Sequence, residues 1–218
     1  MTRRVGRLGA AVVFIVLSCA VIAWAGGGWG FLRRPVGVVF LVVWFLWLLS
    51  TVWYRRPGST SKYSRRAVAL TLLAIPAVVL LMGVIPWEYG HYTGPIPRDG
   101  SLAWVGLALF AAGALLTAWA MRVQHGSYTA RLNVAVGQAL VTTGPYAIVR
   151  NPGYLGNILS LLGLGLALSS LVGLALAAVT IIGILVRIQR EEKMLVAEFG
   201  DQFHAYMQRT RRLFPFVY

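Results

Sequence analysis

Residues 154–186, YLGNILSLLGLGLALSSLVGLALAAVTIIGILV, form an apolar run of 33 residues that decides the fold of this chain. A single helix of that length would overshoot a hydrocarbon core of about 30 Å, whereas two full spans need about 40 residues. Ser169 and Ser170 lie near the middle of the run. The run therefore predicts a helical hairpin with two short legs. Small residues line one face of the first leg, where they permit close helix packing: Gly156, Ser160, Gly163 and Ala167.

Further apolar stretches precede the hairpin, and each is long enough to predict a membrane-spanning helix: residues 8–25, 36–53, 67–85 and 102–121. Pro76 predicts a kink in the third stretch. The sequence therefore predicts an all-α fold, a polytopic membrane helix bundle. It has about four spans, followed by a C-terminal helical hairpin and by a cytoplasmic loop and tail.

The first apolar stretch has a second interpretation, because basic residues precede it and the sequence AWA at residues 23–25 imitates a signal-peptide cleavage site. Its apolar length of about 18 residues is closer to a full span than to the shorter core of a signal peptide. Further spans also follow it. We interpret it as a retained first helix.

The composition is that of a protein whose solvent is a bilayer. The chain is 58% hydrophobic and 12% charged, whereas soluble domains carry about a quarter charged residues. The 20 Lys and Arg and the 6 Asp and Glu give a net charge of +14. The basic residues lie between apolar runs, which is typical of the positive-inside rule and not of a nucleic-acid-binding surface. We expect membrane lipids with anionic headgroups as partners, and no nucleic acid.

The orientation in the membrane follows from the Lys and Arg residues of the short loops. Residues 54–66 hold five basic residues, whereas residues 87–101 hold only Arg98. The loop at residues 54–66 is therefore expected in the cytoplasm and the loop at residues 87–101 outside. Both termini are then expected in the cytoplasm. The chain has 18 Arg and 2 Lys, which suggests a GC-rich bacterial genome and hence the bacterial inner membrane.

Cysteine and histidine residues form no recognisable site. Cys19 lies inside an apolar run and is the single cysteine of the chain, which excludes an intrachain disulfide. His91, His125 and His204 are far apart in the sequence and do not have the spacing of metal ligands. The sequence predicts no metal site.

Acidic residues cluster just after the hairpin, where Glu191, Glu192, Glu198 and Asp201 follow one another closely. Arg187 lies one helical turn before Glu191, so the two side chains share a helix face. This pattern leaves two interpretations open. It is a routine ion pair where a helix passes into water, or it is a functional group at membrane depth.

A second cluster precedes the hairpin and consists of GPY at residues 144–146 and RNPGY at residues 150–154. Two Pro and two Gly in so short a stretch predict an ordered, turn-rich loop that leads into the hairpin. Taken by itself, this cluster indicates structure and no function.

The two clusters together resemble the isoprenylcysteine carboxyl methyltransferase family, which is related to the membrane phospholipid methyltransferases. The resemblance covers residues 131–215. The matching features occur in the family's order: LVTTGPY at 140–146, RNPGY at 150–154, an apolar hairpin, Arg187, Glu191-Glu192, Phe199-Gly200, Tyr206 and Pro215.

The resemblance implies that S-adenosylmethionine binds between the loop and the tail. It gives Arg187 the position that holds the acceptor carboxylate in the prenylcysteine enzymes. The family motif most often reads Arg-His-Pro, whereas here Asn151 replaces the histidine. An amide still forms hydrogen bonds but does not titrate near neutrality, so a proton-transfer role at this position is in doubt. The implied cofactor-binding residues are Gln138, Ala139, Leu140, Val141, Tyr146, Asn151, Pro152, Gly153, Tyr154 and Glu191.

The chemistry agrees with the location of these residues. A polar cofactor and an acceptor dissolved in the bilayer meet most easily at the cytoplasmic boundary. Methyl transfer is an in-line displacement that depends on alignment and exclusion of water. A carboxylate acceptor needs orientation, for which an Arg fork is suited, whereas an amine or thiol needs a general base. No convincing base is evident in the sequence.

We therefore expect an integral membrane S-adenosylmethionine-dependent methyltransferase acting on a lipidic or small apolar acceptor. Its N-terminal transmembrane helices would occupy residues 1–101 and its methyltransferase core residues 102–218. Two alternatives stay open: an NADPH-dependent membrane reductase of the sterol-reductase type, whose C-terminal architecture is similar, and a non-catalytic membrane scaffold that keeps the fold.

Overall fold

A computed structural model describes residues 2–54, 80–91, 95–124 and 140–214. In chain order its helices are α1 (Thr2–Ala25), α2 (Trp29–Leu32), α3 (Pro35–Tyr54), a π-helical turn (Leu80–Val84), α4 (Ile85–His91), α5 (Ser101–Val123), a 3₁₀ turn (Gly144–Ala147), α6 (Pro152–Ala167), α7 (Leu171–Phe199) and α8 (Asp201–Arg209). The described backbone is otherwise turns and loops, with one isolated bridge between Val149 and Arg211. The prediction of an all-α membrane helix bundle is confirmed.

The predicted spans agree with the described helices except near the third one. Helices α1, α3 and α5 cover the first, second and fourth predicted spans. The third span was expected to end at Ile85 and give way to a loop from Trp87, but α4 continues to His91. This boundary was wrong because Trp87–His91 packs as helix, with Tyr89 buried against Phe31. The basic loop after α3 and Pro76 lie outside the described residues.

The hairpin prediction is confirmed, with one correction to its second leg. Helix α6 ends at Ala167 and α7 begins at Leu171, so the chain reverses at residues 168–170. Ser169 takes a left-handed conformation with φ of 49°, and the Ser170 hydroxyl accepts a hydrogen bond from the Gly173 amide at 2.8 Å. Helix α7 has 29 residues and is not short, because its polar end continues past the apolar run.

Helices α5 and α6 pack with their backbones in close approach, as the small residues of α6 predict. A side chain at Gly113 would collide with the backbone of Gly156, and one at Gly163 would collide with the backbone of Phe110. Such approach requires glycine on both helices. The α6 helix is thereby fixed against α5, and this contact sets the position of the loop that enters α6.

Aromatic side chains fill the core between the N-terminal helices and α5. Phe40 and Trp44 of α3 stack on Phe110 of α5, with ring centroids 5.4 and 6.3 Å apart. The Trp44 indole donates a hydrogen bond to Ser18 of α1 at 3.1 Å. By length and composition alone, α5 and α7 are the described helices long and apolar enough to cross a membrane, and shorter apolar stretches occur in α1, α3 and α6.

Polar contacts tie the loops together at the end of the bundle where the hairpin turns, which we call the turn end (residues 26–34, 95–100 and 168–170). Arg34 forms an ion pair with Asp99 at 3.0 Å, so the loop after α1 and the loop before α5 lie at the same end of the bundle. The buried Glu88 carboxylate accepts hydrogen bonds from the Ser170 hydroxyl and from the Leu171 amide. The opposite end, formed by residues 140–151 and 200–214, we call the loop end.

Candidate functional site

The loop before α6 and the tail after α8 are joined at the loop end of the bundle. Val149 and Arg211 form a parallel bridge, in which the Arg150 amide donates to the Arg211 carbonyl at 2.7 Å. The Tyr206 hydroxyl donates to the carbonyl oxygen of Tyr146 at 2.6 Å. Two segments that are about sixty residues apart in the sequence therefore form one layer over the end of α7.

Glu192 of α7 connects this layer to the hairpin. Its side chain is 6% exposed and accepts from the Arg150 guanidinium at 3.0 Å and from the Arg212 guanidinium at 2.8 Å. The Asn151 amide also donates to it, at 3.3 Å. A buried carboxylate is stable when it is paired and hydrogen-bonded, and here three donors from loop and tail meet it. Glu192 thus holds both segments against α7.

Arg150 and Asn151 add contacts of their own to the tail. The Arg150 guanidinium also donates to the carbonyl oxygens of Met207, at 3.2 Å, and of Thr210. The Asn151 amide donates to the Arg212 carbonyl at 3.0 Å. Asn151 is the residue that precedes α6, and Pro152 is the first residue of that helix, a position that suits proline. The motif RNPGY therefore starts the helix and locks the tail at the same time.

Tyr154, Arg187 and Glu191 form a second polar group on the hairpin. The Tyr154 hydroxyl donates to Glu191 Oε1 at 2.7 Å, and Arg187 Nε donates to the same oxygen at 2.8 Å. The Arg187 guanidinium lies 5.7 Å from the centroid of the Tyr154 ring. The Arg187 side chain is 53% exposed and that of Glu191 is 24% exposed, so a ligand from outside could reach both.

The two groups lie on different faces of α7, because a helix turns by about 100° per residue, so Glu192 points about 100° away from Glu191. Arg187 and Glu191 share one face. Glu192 is buried on the same side of the helix as the fully buried Ile188, four residues before it. One face therefore meets α6 through Tyr154, and the other meets the loop and the tail.

Tyr146 and Tyr206 connect the loop before α6 to α5 and to α8. The Tyr146 hydroxyl donates to the side-chain oxygen of Gln124, which follows α5, at 2.9 Å. Tyr206 is buried, and burial raises the pKa of its phenol to about 12. It stays a neutral hydrogen-bond donor at physiological pH and cannot act as a base there.

The structure brings together part of the set predicted for the cofactor. Tyr154 at the start of α6 contacts Glu191 of α7, whereas Asn151 contacts the neighbouring Glu192 and Tyr146 contacts Gln124 and Tyr206. Leu140 and Val141 are half-buried at the beginning of the described loop, and Gly153 has room around it. Pro152 is buried as the first residue of α6. Gln138 and Ala139 lie outside the described residues.

Sequence reasoning missed Glu192, Arg150 and Arg212 as members of the site. The sequence analysis noted the acidic pair at residues 191 and 192. It assigned a role to Glu191, which shares a helix face with Arg187, and none to Glu192. The basic residue directly before Asn151-Pro152 was the available signal, since a buried Arg needs a carboxylate partner. Arg212 lacked a comparable signal, because the tail is rich in Arg.

The group of Tyr154, Arg187 and Glu191 fits S-adenosylmethionine, although its sulfonium is a cation in a basic protein. Glu191 is partly exposed and can accept a cationic group, while the Tyr154 ring offers an aromatic face. Among the described residues, no three His, Cys, Asp or Glu side chains lie together as metal ligands. The prediction that the chain binds no metal stays a prediction.

Part of the chain matches a known family of methyltransferases. Residues 102–202 match the family model of phospholipid methyltransferase. The cobalt-zinc-cadmium resistance protein CzcN of Cupriavidus metallidurans is 31% identical over 136 residues, which cover 62% of this chain and 56% of that protein. The nickel-cobalt-cadmium resistance protein NccN of Alcaligenes xylosoxydans xylosoxydans is 32% identical over 76 residues, 35% of this chain and 36% of that protein. The chain thus spans about half of the first relative and about a third of the second.

A solved structure shares the fold over nearly the whole chain. It is the eukaryotic intramembrane Ras methyltransferase isoprenylcysteine carboxyl methyltransferase, with a TM-score of 0.62 and 19% identity, covering 94% of this chain and 74% of that one. At this identity the likeness concerns the fold. The match of residues 102–202 to the phospholipid methyltransferase family and the fold shared with isoprenylcysteine carboxyl methyltransferase together support the superfamily of these membrane methyltransferases.

Proposed function

We propose that this protein is an integral membrane methyltransferase that transfers a methyl group from S-adenosylmethionine to a lipidic or small apolar acceptor. The site is the contact between the start of α6 and the polar part of α7, near the loop end of the bundle, and this end faces the cytoplasm. The observation that carries the proposal is the triad of Tyr154, Glu191 and Arg187, which lies inside the segment that matches the phospholipid methyltransferase family. The assignment of individual residues to cofactor and acceptor is part of the proposal.

Glu191 is the residue that would hold the cofactor's cationic part. Its carboxylate is oriented by the Tyr154 hydroxyl, so its position does not depend on the ligand. When bound, S-adenosylmethionine supplies an electrophilic methyl group on a positively charged sulfur. A carboxylate beside that charge stabilises the bound cofactor electrostatically, and the partial burial of Glu191 strengthens the interaction relative to bulk water.

Arg187 would orient the acceptor. Its ion pair with Glu191 is half-exposed and is therefore exchangeable, so a carboxylate of the acceptor can take over one of its donors. Helix α7 is apolar on the membrane side of Arg187, where the acceptor's chain would stay in the bilayer. Arg187 thus lies where a lipid chain would bring its polar end to the cofactor.

The described residues around the site favour an acceptor that is already ionised. Glu191 and Glu192 are both engaged with guanidinium groups, and Tyr206 is neutral at physiological pH. Asn151 occupies the place where the family most often has histidine, and an amide does not accept a proton near neutrality. A carboxylate acceptor needs no proton removed, so its orientation by Arg187 suffices.

Transfer of radiolabelled methyl groups tests the proposal. The purified protein is incubated with labelled S-adenosylmethionine and a membrane lipid extract, and the organic-soluble label is measured, with NADPH oxidation followed in parallel. We expect labelled product and no oxidation of NADPH. Oxidation of NADPH without methyl transfer would replace the proposal by a reductase, and cofactor binding without transfer to any acceptor would replace it by a scaffold.

A further inference from the structure

Helices α3, α5 and α7 all begin at the turn end, so they start at one level of the bundle. Helix α3 follows Arg34, which pairs with Asp99, and α5 begins two residues after Asp99. Helix α7 begins two residues after Ser169, whose hydroxyl donates to the Pro97 carbonyl at 3.3 Å. The point at which each helix ends its apolar stretch therefore measures the height of the bundle on its own side.

The hairpin is shorter than α3 when both are measured from this common level. Helix α3 carries no charged residue in any of its 20 residues. Helix α6 has 16 residues in all, and 16 residues of α7 precede its first charged residue, Arg187. At a rise of about 1.5 Å per residue, α3 extends about 30 Å, whereas α6 and the apolar part of α7 extend about 24 Å. A tilt of the hairpin would shorten its height across the membrane further.

The outer face of α5 carries an aromatic side chain near each end. Trp104 and Trp119 are half-exposed, and Val105 and Leu115 between them are exposed as well. Tryptophan is enriched at both membrane–water interfaces. The two indoles are 15 residues apart, which is about 22 Å along the helix axis. Because α5 packs closely against α6, this short separation occurs on the same side of the bundle as the short hairpin.

The outer face of α7 is apolar up to the level of Arg187, with Val179, Ile182 and Val186 exposed. A span shorter than the hydrocarbon core is accommodated by extended basic side chains or by a thinner bilayer. The Arg187 guanidinium is held beside the helix, since its Nε donates to Glu191 and its carbon atom lies 5.7 Å from the centroid of the Tyr154 ring. The mismatch of about 6 Å with a core of about 30 Å therefore falls mainly on the bilayer.

We propose that the side of the bundle formed by α5, α6 and α7 fits a bilayer whose hydrocarbon core is about 24 Å thick. In an ordinary membrane this side thins the adjacent bilayer, whereas the α3 side fits a core of about 30 Å. The partner of this surface is thus the acyl layer of a bilayer with short chains. The inference concerns the lipids that surround the protein and does not depend on the methyl transfer proposed above.

A series of lipids with one headgroup and different chain lengths tests this inference. The full chain is reconstituted in vesicles of dimyristoleoyl, dioleoyl or dierucoyl phosphatidylcholine, each mixed with brominated dioleoyl phosphatidylcholine, and quenching of tryptophan fluorescence gives the relative association of each lipid. Mismatch costs a fraction of a kcal/mol per Å, so we expect dimyristoleoyl chains to associate about threefold more strongly than dioleoyl chains, and dierucoyl chains most weakly. Equal association of the three lipids, or strongest association of dioleoyl chains, would overturn the proposal.

A pair of matched variants assigns the preference to one side of the bundle. Trp104→Leu removes an interfacial indole from α5, and Trp24→Leu removes an exposed indole from the end of α1, which packs against α3. We expect Trp104→Leu to reduce the preference for dimyristoleoyl chains to less than about twofold, and Trp24→Leu to keep it. Equal reductions in the two variants would contradict the assignment to the hairpin side. Methyl transfer measured on the same vesicles reports separately on the proposed function.

Discussion

The two ends of the bundle each bury a carboxylate, but they hold it in different ways. At the turn end, Glu88 is 8% exposed and accepts from the Ser170 hydroxyl and from the amides of Leu171 and Val172, the first residues of α7. At the loop end, the buried Glu192 meets two guanidinium groups and an amide. One carboxylate thus caps a helix, and the other neutralises charge.

Under the proposed function, this difference distinguishes an end with a structural role from an end that also binds ligands. The donors around Glu88 belong to a helix N-terminus and a hydroxyl, which carry partial charges, so they satisfy the carboxylate and fix the hairpin turn. Around Glu192, two full positive charges face one negative charge, and all three belong to segments that form the candidate site. The partly exposed pair of Arg187 and Glu191 lies on the same helix, one residue away. We infer that the turn end has a structural role alone, whereas the loop end combines buried ion pairs that stabilise the fold with exposed groups that hold ligands.

The largest expected effect comes from Glu192→Gln. It leaves the Arg150 guanidinium buried, at 9% exposure, without its carboxylate. Removing one partner of a buried ion pair costs about 3–5 kcal/mol of stability. We expect a loss of that size, measured by chemical unfolding in detergent, together with release of the tail to proteolysis.

A double-mutant cycle sharpens this prediction. Arg150→Gln combined with Glu192→Gln removes both charges, so the double variant should be less destabilised than the sum of the single variants. Additive losses would mean that the two side chains do not interact, and the account of Glu192 as the connection between loop and hairpin would fail.

Arg187→Ala should damage activity while sparing the fold. Its exposed i,i+4 pair with Glu191 contributes about 0.3–0.5 kcal/mol to stability. If it holds a buried charged group of the acceptor, its loss costs about 2–5 kcal/mol in turnover, or roughly 30- to several-thousand-fold. Turnover and unfolding are measured on the same preparation, with cofactor affinity as the control. Near-wild-type turnover would mean that Arg187 and Glu191 form a surface ion pair without a role in catalysis.

Glu88→Gln should do the opposite and reduce stability while sparing activity. The amide keeps one acceptor oxygen but loses the charge that faces the α7 N-terminus, so we expect about 1–3 kcal/mol of destabilisation. The thermal midpoint in detergent should fall, and methyl transfer below that midpoint should be unchanged. A selective loss of methyl transfer would break the division between the two ends.

The smallest effect is expected from Tyr206→Phe, which removes the hydrogen bond to the Tyr146 carbonyl and costs about 0.5–1.5 kcal/mol. The phenol's pKa is raised by burial to about 12, above its unfolded value of about 10. Its contribution is therefore complete below pH 10 and is lost as the pH rises toward 12. Unfolding curves across that range should show this loss in the wild type and less of it in the variant.

Much of the architecture could be predicted from the sequence because the membrane imposes simple rules of length. The 33-residue run fits neither one span nor two, and the hairpin follows from that mismatch. The small residues on one face of α6 predicted a close helix contact, which α6 makes with α5. The helical extension to His91 could not be read, because Trp87–His91 contains Gly90 and its helix depends on tertiary packing. The division of the chain at residue 101 and the orientation toward the cytoplasm stay predictions.

The candidate site could be predicted only where its residues are close in sequence. Arg187 and Glu191 are one turn apart, so helical periodicity placed them on one face. Tyr154, near the start of α6, was predicted as a site residue only from the family resemblance. The partners of Glu192 lie 42 and 20 residues away along the chain, and no local period connects them. Long-range ion pairs of this kind depend on the tertiary fold.

The most direct test of the account is calorimetry with S-adenosylhomocysteine on the wild type, Glu191→Gln and Glu88→Gln. The account predicts saturable binding to the wild type and affinity at least about tenfold weaker in Glu191→Gln, since a hydrogen bond or ion contact to a charged group is worth about 1.5–3 kcal/mol. Glu88→Gln, the matched change at the turn end, should bind like the wild type. Absence of binding to the wild type, or equal affinity in Glu191→Gln, would contradict the claim that the loop end of this bundle is a cofactor site.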